Sequence, residues 1–199
     1  MSTQVISLNC PGCGAAVSTG DKNCKFCKGP IVISTFNSIE DMAPPLLNKY
    51  AATYQKALAT NPDDRELNTS IAMIFLKLKL YDKAIVAFEK AIEDNFDNSE
   101  IFFYAAVAML RGKKAFLAQR KDIDKIEEYV NAANMIEPKG IHHYLLAYVK
   151  FDHFTRKFLN TTPSYKELLE QAELEAISCS EVDIIRLYKL LQVERPNEL

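Results

Sequence analysis

The 199-residue chain has no tryptophan, three histidines, six glycines and eight prolines. So few turn formers argue against an all-β protein, which needs a tight turn every few residues. Eight of those fourteen glycines and prolines fall within the first 45 residues, leaving the rest free to run as helices. No glycine loop of the phosphate-cradling or dinucleotide type occurs, and no nucleophile elbow. His142 and His143 are adjacent, hence about 100° apart on a helix, and neither stands at the i, i+4 spacing of a helical metal pair with His153. The longest apolar runs are Ile71–Leu76 and Ile101–Leu110. Both fall far short of the ~20 residues of a membrane span. The first nine residues lack the basic start and apolar run of a secretory signal. A net charge of −2 gives no bulk attraction to nucleic acid or membrane surfaces. The expected setting is the cytoplasm, with no membrane and no small-molecule substrate. No frame of convergent titratable groups emerges, so the chain is expected not to be an enzyme.

What is present begins with cysteine. Cys10-Pro-Gly-Cys13 and Cys24-Lys-Phe-Cys27 are two CxxC pairs ten residues apart. Two residues between thiolates let a tight turn aim both sulfurs at one ion, and two turns complete a tetrahedral S₄ shell that suits zinc. A redox dithiol would need a βαβ context that is missing; an iron–sulfur centre is the other competing reading. Four cysteine ligands close the shell, so the expected role of Zn2+, one per chain, is structural. Val5–Leu8 and Ile31–Ile33 read as short strands beside the knuckles. The segment resembles a short zinc ribbon of the CPxCG type over about residues 8–33. The first knuckle, Cys10–Gly14, matches fully. In the second, Lys28 stands where the family favours glycine, and Gly29 comes one residue late.

The remainder carries helical periodicity. Leu67, Ile71, Ile74, Phe75 and Leu78 form one stripe. After the turn Lys79–Asp82, Ala84, Ile85, Phe88, Ala91 and Ile92 form a second. The alanines let the helices approach while Phe88 fills between them. This unit, 65–98, resembles a tetratricopeptide repeat, with Ile71, Ala72, Phe75, Ala84, Phe88 and Ala91 at the family's size-restricted positions and Tyr81 at the turn. Asn68 departs from the usual tryptophan and Phe96 from the usual proline. Sliding the 34-residue period finds Tyr54, Ala57 and Pro62 upstream, the second helix of an incomplete repeat. Downstream, Phe102–Met109 begins a repeat whose partner is delayed by about eight residues, an insertion placed in 111–124. A further first helix runs from Ile141 through Phe158. Ser164 caps its partner ahead of Glu167, and Ser180, with Asp183, caps a final helix.

The expectation is an all-α, tetratricopeptide-like helical-hairpin solenoid of about eight helices over 46–192, behind a zinc ribbon of short β-strands. Its three parts are a ribbon (1–36), a linker (37–45) and a repeat domain (46–199). The resemblance implies a concave face, lined by first helices, that binds a partner protein. Phe103, Val107 and Arg111 are its candidate lining. The inserted segment adds Lys113, Lys114, Arg120 and Lys121, so that five cations fall within 111–121. The family's carboxylate clamp is not found. An adaptor or scaffold is thus the expected function; the alternative is a nucleic-acid-associated factor using the ribbon and the basic 111–121 segment. Cys179 reads as a buried, inert thiol.

Overall fold

The computed structural model describes residues 5–93, 96–175 and 179–199. Among them are a two-stranded hairpin and eight α-helices. The chain forms two compact units, 1–95 and 96–199.

In the first unit, β1 (Ser7–Asn9) pairs antiparallel with β2 (Ala16–Ser18), Leu8 opposite Val17. The helices are α1 (Pro44–Leu58), α2 (Arg65–Lys77) and α3 (Tyr81–Ile92). Pro44 and Pro45 open α1, where a missing N–H costs nothing. Asp64 caps α2 by accepting from the Leu67 N–H at 2.8 Å. Asn68 replaces a large aromatic by polar means: it is buried, and its Nδ2 donates to Pro62 O and Asp64 O, both at 2.9 Å. α2 and α3 form the expected hairpin. Phe88, Ala84 and Ala91 are fully buried on one side, Leu67 and Ile74 on the other. Each large side chain so removed from water contributes about 1.5–3 kcal/mol. Lys79 turns the chain in the left-handed region (φ 60°), and the Leu80 N–H closes back on Phe75 O at 2.8 Å.

The second strand is Ala16–Ser18, not Ile31–Ile33 as the sequence led us to expect. Ile31 and Ile33 instead leave the cysteine module and press into the helices, where both are fully buried. The Ile31 N–H still bonds Lys22 O at 3.1 Å, but beyond it side chains rather than a sheet satisfy the backbone. Tyr50 donates to Pro30 O at 3.0 Å and Tyr54 to Ile31 O at 2.7 Å. The Ile33 N–H donates to Ser70 Oγ at 2.9 Å. A 3-10 turn over Phe36–Ile39 buries Phe36 and Ile39, and Lys77 Nζ reaches Glu40 O at 2.6 Å. The module is therefore packed on α1 and α2 rather than swinging.

The second unit holds α4 (Ser99–Met109), α5 (Arg120–Ile136), α6 (Gly140–Val149), α7 (Tyr165–Leu174) and α8 (Glu181–Leu191). α4 pairs with α5, α6 with α7, and α8 lies on α6 and α4. Both expected capping boxes form, Ser164 with Glu167 and Ser180 with Asp183. The insertion is shorter than 111–124, because α5 begins at Arg120. α6 does continue, as a wider π turn over Lys150–Phe154 and a 3-10 turn over Thr155–Lys157, and Phe158 ends it in the left-handed region (φ 57°). Gly140 permits the close approach of α6: a Cβ there would lie 2.6 Å from Ala172 O.

Candidate metal centre and basic cleft

The four sulfurs of Cys10, Cys13, Cys24 and Cys27 all lie within 4.8 Å of one another. Cys10 and Cys27 approach to 3.5 Å, Cys13 and Cys24 to 3.7 Å. A tetrahedron with zinc–sulfur bonds of about 2.3 Å has edges of about 3.8 Å, so the donor set fits such an ion. Cys10 and Cys24 are buried and Cys13 and Cys27 exposed. The two knuckles repeat one backbone pattern. Gly14 N–H bonds Cys10 O (2.8 Å) and Lys28 N–H bonds Cys24 O (2.9 Å). Cys10 N–H bonds Ala15 O (2.7 Å) and Cys24 N–H bonds Gly29 O (2.8 Å). Lys28 thus occupies the place of Gly14 and adopts its left-handed backbone, φ 62° against 82°. The turn is kept, at the steric cost a Cβ carries there.

Backbone N–H groups of Cys27 and Phe26 hold the Cys24 thiol down to about 6. Cys27 receives a backbone bond from Gly29 that lowers it, but its sulfur neighbours and burial push it up to about 11. A cation among the four sulfurs would offset the mutual repulsion of thiolates at this spacing. Gly12 gives the cluster room, since a Cβ there would sit 3.2 Å from Cys27 Sγ. The phenol of Tyr50 covers the site; burial, then the charge at Cys10, raise it to about 12, so it stays a neutral donor. Tyr50, Tyr54 and Ser70, which seat the module, were not singled out from sequence. Their one signal is the i, i+4 pair of tyrosines on α1.

The inserted segment forms a second site. A cleft of about 330 Å³ is lined by Met109, Leu110, Leu117 and Ala118, with Arg111, Lys113, Lys114 and Lys121 around them. Arg111 faces Asp122 at 3.5 Å. Arg120 lies outside the lining and pairs with Asp124 at 2.8 Å. A buried polar network behind the cleft holds the loop. Asp152, 1% exposed, accepts from the Phe116 N–H at 2.7 Å and from Arg156 at 2.5 Å. His153 Nδ1 lies 3.0 Å from Ala115 O, and Tyr148 Oη 3.3 Å from Ala115 N. Lys150 is buried against Glu127 and Thr161, both at 2.8 Å. The π turn of α6 brings Lys150, Asp152 and His153 inward together.

Phe103 and Val107 are corrected by the structure. They are 7% and 1% exposed, and Phe103 stacks on His142 with ring centroids 5.1 Å apart. α8 lies on α4 and α6, the first helices of this unit's hairpins. These two side chains are core, whereas Lys113, Lys114, Arg120 and Lys121 are exposed. The histidines are core or half-buried. His142 Nδ1 lies 3.1 Å from Asn134 Oδ1, and burial brings its pKa down to about 4. His143 Nε2 lies 3.3 Å from Glu175. Cys179 is half-buried rather than buried, and that burial raises its thiol to about 11.

No protein-family model matches the chain, and no curated protein matches it by sequence. Its fold does match solved structures. One, described as "MamA MSR-1 C2", superposes with a TM-score of 0.53 at 16% sequence identity, covering 71% of this chain and 73% of that one. MamA is a tetratricopeptide-repeat protein. The fold is tetratricopeptide-like: helices packed in sequential pairs, with a small two-stranded hairpin at the N-terminal end. The four-cysteine cluster beside that hairpin is consistent with a zinc ribbon. No helix among the described residues is long and apolar enough to cross a membrane.

Proposed function

We propose that this protein is a non-enzymatic adaptor that binds a partner protein through its helical-hairpin body. A structural zinc ion held by Cys10, Cys13, Cys24 and Cys27 completes its first unit. The likeness to a tetratricopeptide-repeat structure carries the reading, since stacked helical hairpins present extended surfaces for other chains. The S₄ donor set leaves no open position for water or substrate, which supports a structural ion. Free thiols at this spacing suit a reducing compartment, and we place the protein in the cytoplasm. The parts 1–36, 37–45 and 46–199 serve respectively as metal module, connecting turn and partner-binding helices, and the exposed cations of 111–121 belong to the contact surface.

The test is affinity capture with the intact chain, followed by reconstitution with purified candidates. Stoichiometric, salt-tolerant binding of a defined protein supports the adaptor. Failure to bind any protein, with salt-sensitive retention of RNA or DNA, returns the nucleic-acid reading in its place.

A further inference from the structure

We propose that the cleft between the end of α4 and the start of α5 is a binding site for an acidic peptide segment carrying an apolar side chain. The inference rests on the adaptor reading and names the chemistry of the partner's contact. Three observations carry it. First, the cleft gathers Arg111, Lys113, Lys114 and Lys121 around one carboxylate, Asp122, in a chain whose net charge is −2. Asp122 already faces Arg111. The ammonium groups of Lys113, Lys114 and Lys121 make no ion pair or hydrogen bond among the described residues. Positive charge in such excess over counter-charge lowers the energy of an arriving anion and steers it in.

Second, the floor is apolar. Met109, Leu110 and Ala118 lie between the cations, and Leu117 is 68% exposed at the wall. A phosphate backbone has no use for such a floor, whereas a peptide with Leu or Phe beside Asp and Glu satisfies both parts. Third, the site is built before any ligand arrives. The loop behind Leu117 is pinned by Asp152 on the Phe116 N–H and by His153 at Ala115 O. Ala115 is fully buried. A ligand therefore pays little to order the receptor. The groove of first helices is not needed for this contact, and Phe103 and Val107 take no part in it.

The experiment uses the zinc-loaded full chain and a fluorescein-labelled peptide of acidic residues flanking a central Leu-Phe pair, read by anisotropy. Comparison probes are the same peptide with Ser-Ser at its centre and a single-stranded RNA of similar charge. The expected result is saturable binding of the Leu-Phe peptide, weakened on the order of tenfold in Lys113→Glu/Lys114→Glu and severalfold in Leu117→Ser. Lys22→Glu/Lys25→Glu, on the metal module, should leave it unchanged. Amide shifts of Leu117 and Ala118 should move in the unmutated protein, a readout that does not depend on any variant folding. Equal affinity for the Ser-Ser peptide, tighter binding of the RNA, or undiminished binding by Lys113→Glu/Lys114→Glu would overturn the proposal. The adaptor reading fails separately: a partner protein captured equally by Lys113→Glu/Lys114→Glu/Lys121→Glu retains the adaptor and rejects this cleft. Peptide binding without any partner protein does the reverse.

Discussion

The two units solve one problem in different ways. A helical hairpin buries the faces its helices share and leaves an outer face uncovered. The first unit has three helices, so α1 lacks a hairpin partner. Residues 31–39 take that place: Ile31, Ile33, Phe36 and Ile39 are buried, with the Ile31 carbonyl met by Tyr54 and the Ile33 amide by Ser70. That segment is held at its other end by the cysteine module, where Cys10, Cys24 and Ile31 form a small buried cluster among the described residues, with a few partly buried neighbours. The second unit pairs four helices and lays a fifth, α8, across them. It adds a buried network around Asp152, Lys150 and His153. The first unit thus carries a donor set suited to a metal ion, and the second a buried network of charged side chains.

Metal removal should separate them most. One zinc per chain is expected by metal analysis, and a structural site of this kind supplies about 10–16 kcal/mol of binding free energy. With zinc stripped, or in Cys10→Ser/Cys13→Ser, amide protection should collapse across 5–39 and weaken in α1 and α2, while α4–α8 keep theirs. Unaltered protection of α1 would break the contrast, because the metal module would then be an ornament on an independently stable helix pair.

The second unit should yield instead to Asp152→Ala. That change orphans the Phe116 N–H and strips the half-exposed Arg156 of its partner, and an unsatisfied donor of this kind costs about 1–3 kcal/mol. Denaturant melts followed by hydrogen exchange should show the loss in α4–α8 and the loop 111–119, with α2 and α3 unaffected. A loss below about 0.5 kcal/mol would mean that the network does not hold the loop.

Acid should reach the second unit through His142. Its folded pKa is depressed to about 4, from an unfolded value near 6.5. The unfolded chain then binds the proton more readily, so the stability is present above pH 6.5 and is lost as pH falls toward 4. The loss is about 2 kcal/mol by pH 5. The stability of α6 between pH 7 and 5 should fall with that slope, and His142→Gln should flatten it. An unchanged slope in the variant would assign the acid sensitivity elsewhere.

The smallest effect sharpens the likeness between the knuckles. Lys28 holds a left-handed backbone where its counterpart is Gly14. Lys28→Gly should stabilise the first unit by about 1 kcal/mol, seen as a higher melting point of the zinc-loaded protein. A lower melting point would mean that the lysine side chain contributes more than its Cβ costs.

The legible parts of this chain were those written in local spacing. Two CxxC pairs placed four sulfurs together because a two-residue gap fixes the turn whatever surrounds it. The stripes at 65–92 set the α2–α3 hairpin, and Ser164 with Glu167 marked a helix start, because caps are local hydrogen bonds. The five cations of 111–121 were visible as charge, and four of them meet in the cleft.

Tertiary structure alone decided the rest. Ile31–Ile33 has the β-branched composition of a strand, yet Tyr54 donates to the Ile31 carbonyl and Ser70 takes up the Ile33 amide, partners 23 and 37 residues away. Phe103 and Val107 have the spacing of a groove and the burial of a core, with Phe103 stacked on His142 of α6. Asp152 reads as one more charged residue on a helix. Only the π turn, which shifts the register of α6, brings its carboxylate inward to hold the loop that shapes the cleft. Spacing along the chain dictates turns, caps and helix faces, whereas which face is covered, and by what, depends on segments that meet only once the chain has folded.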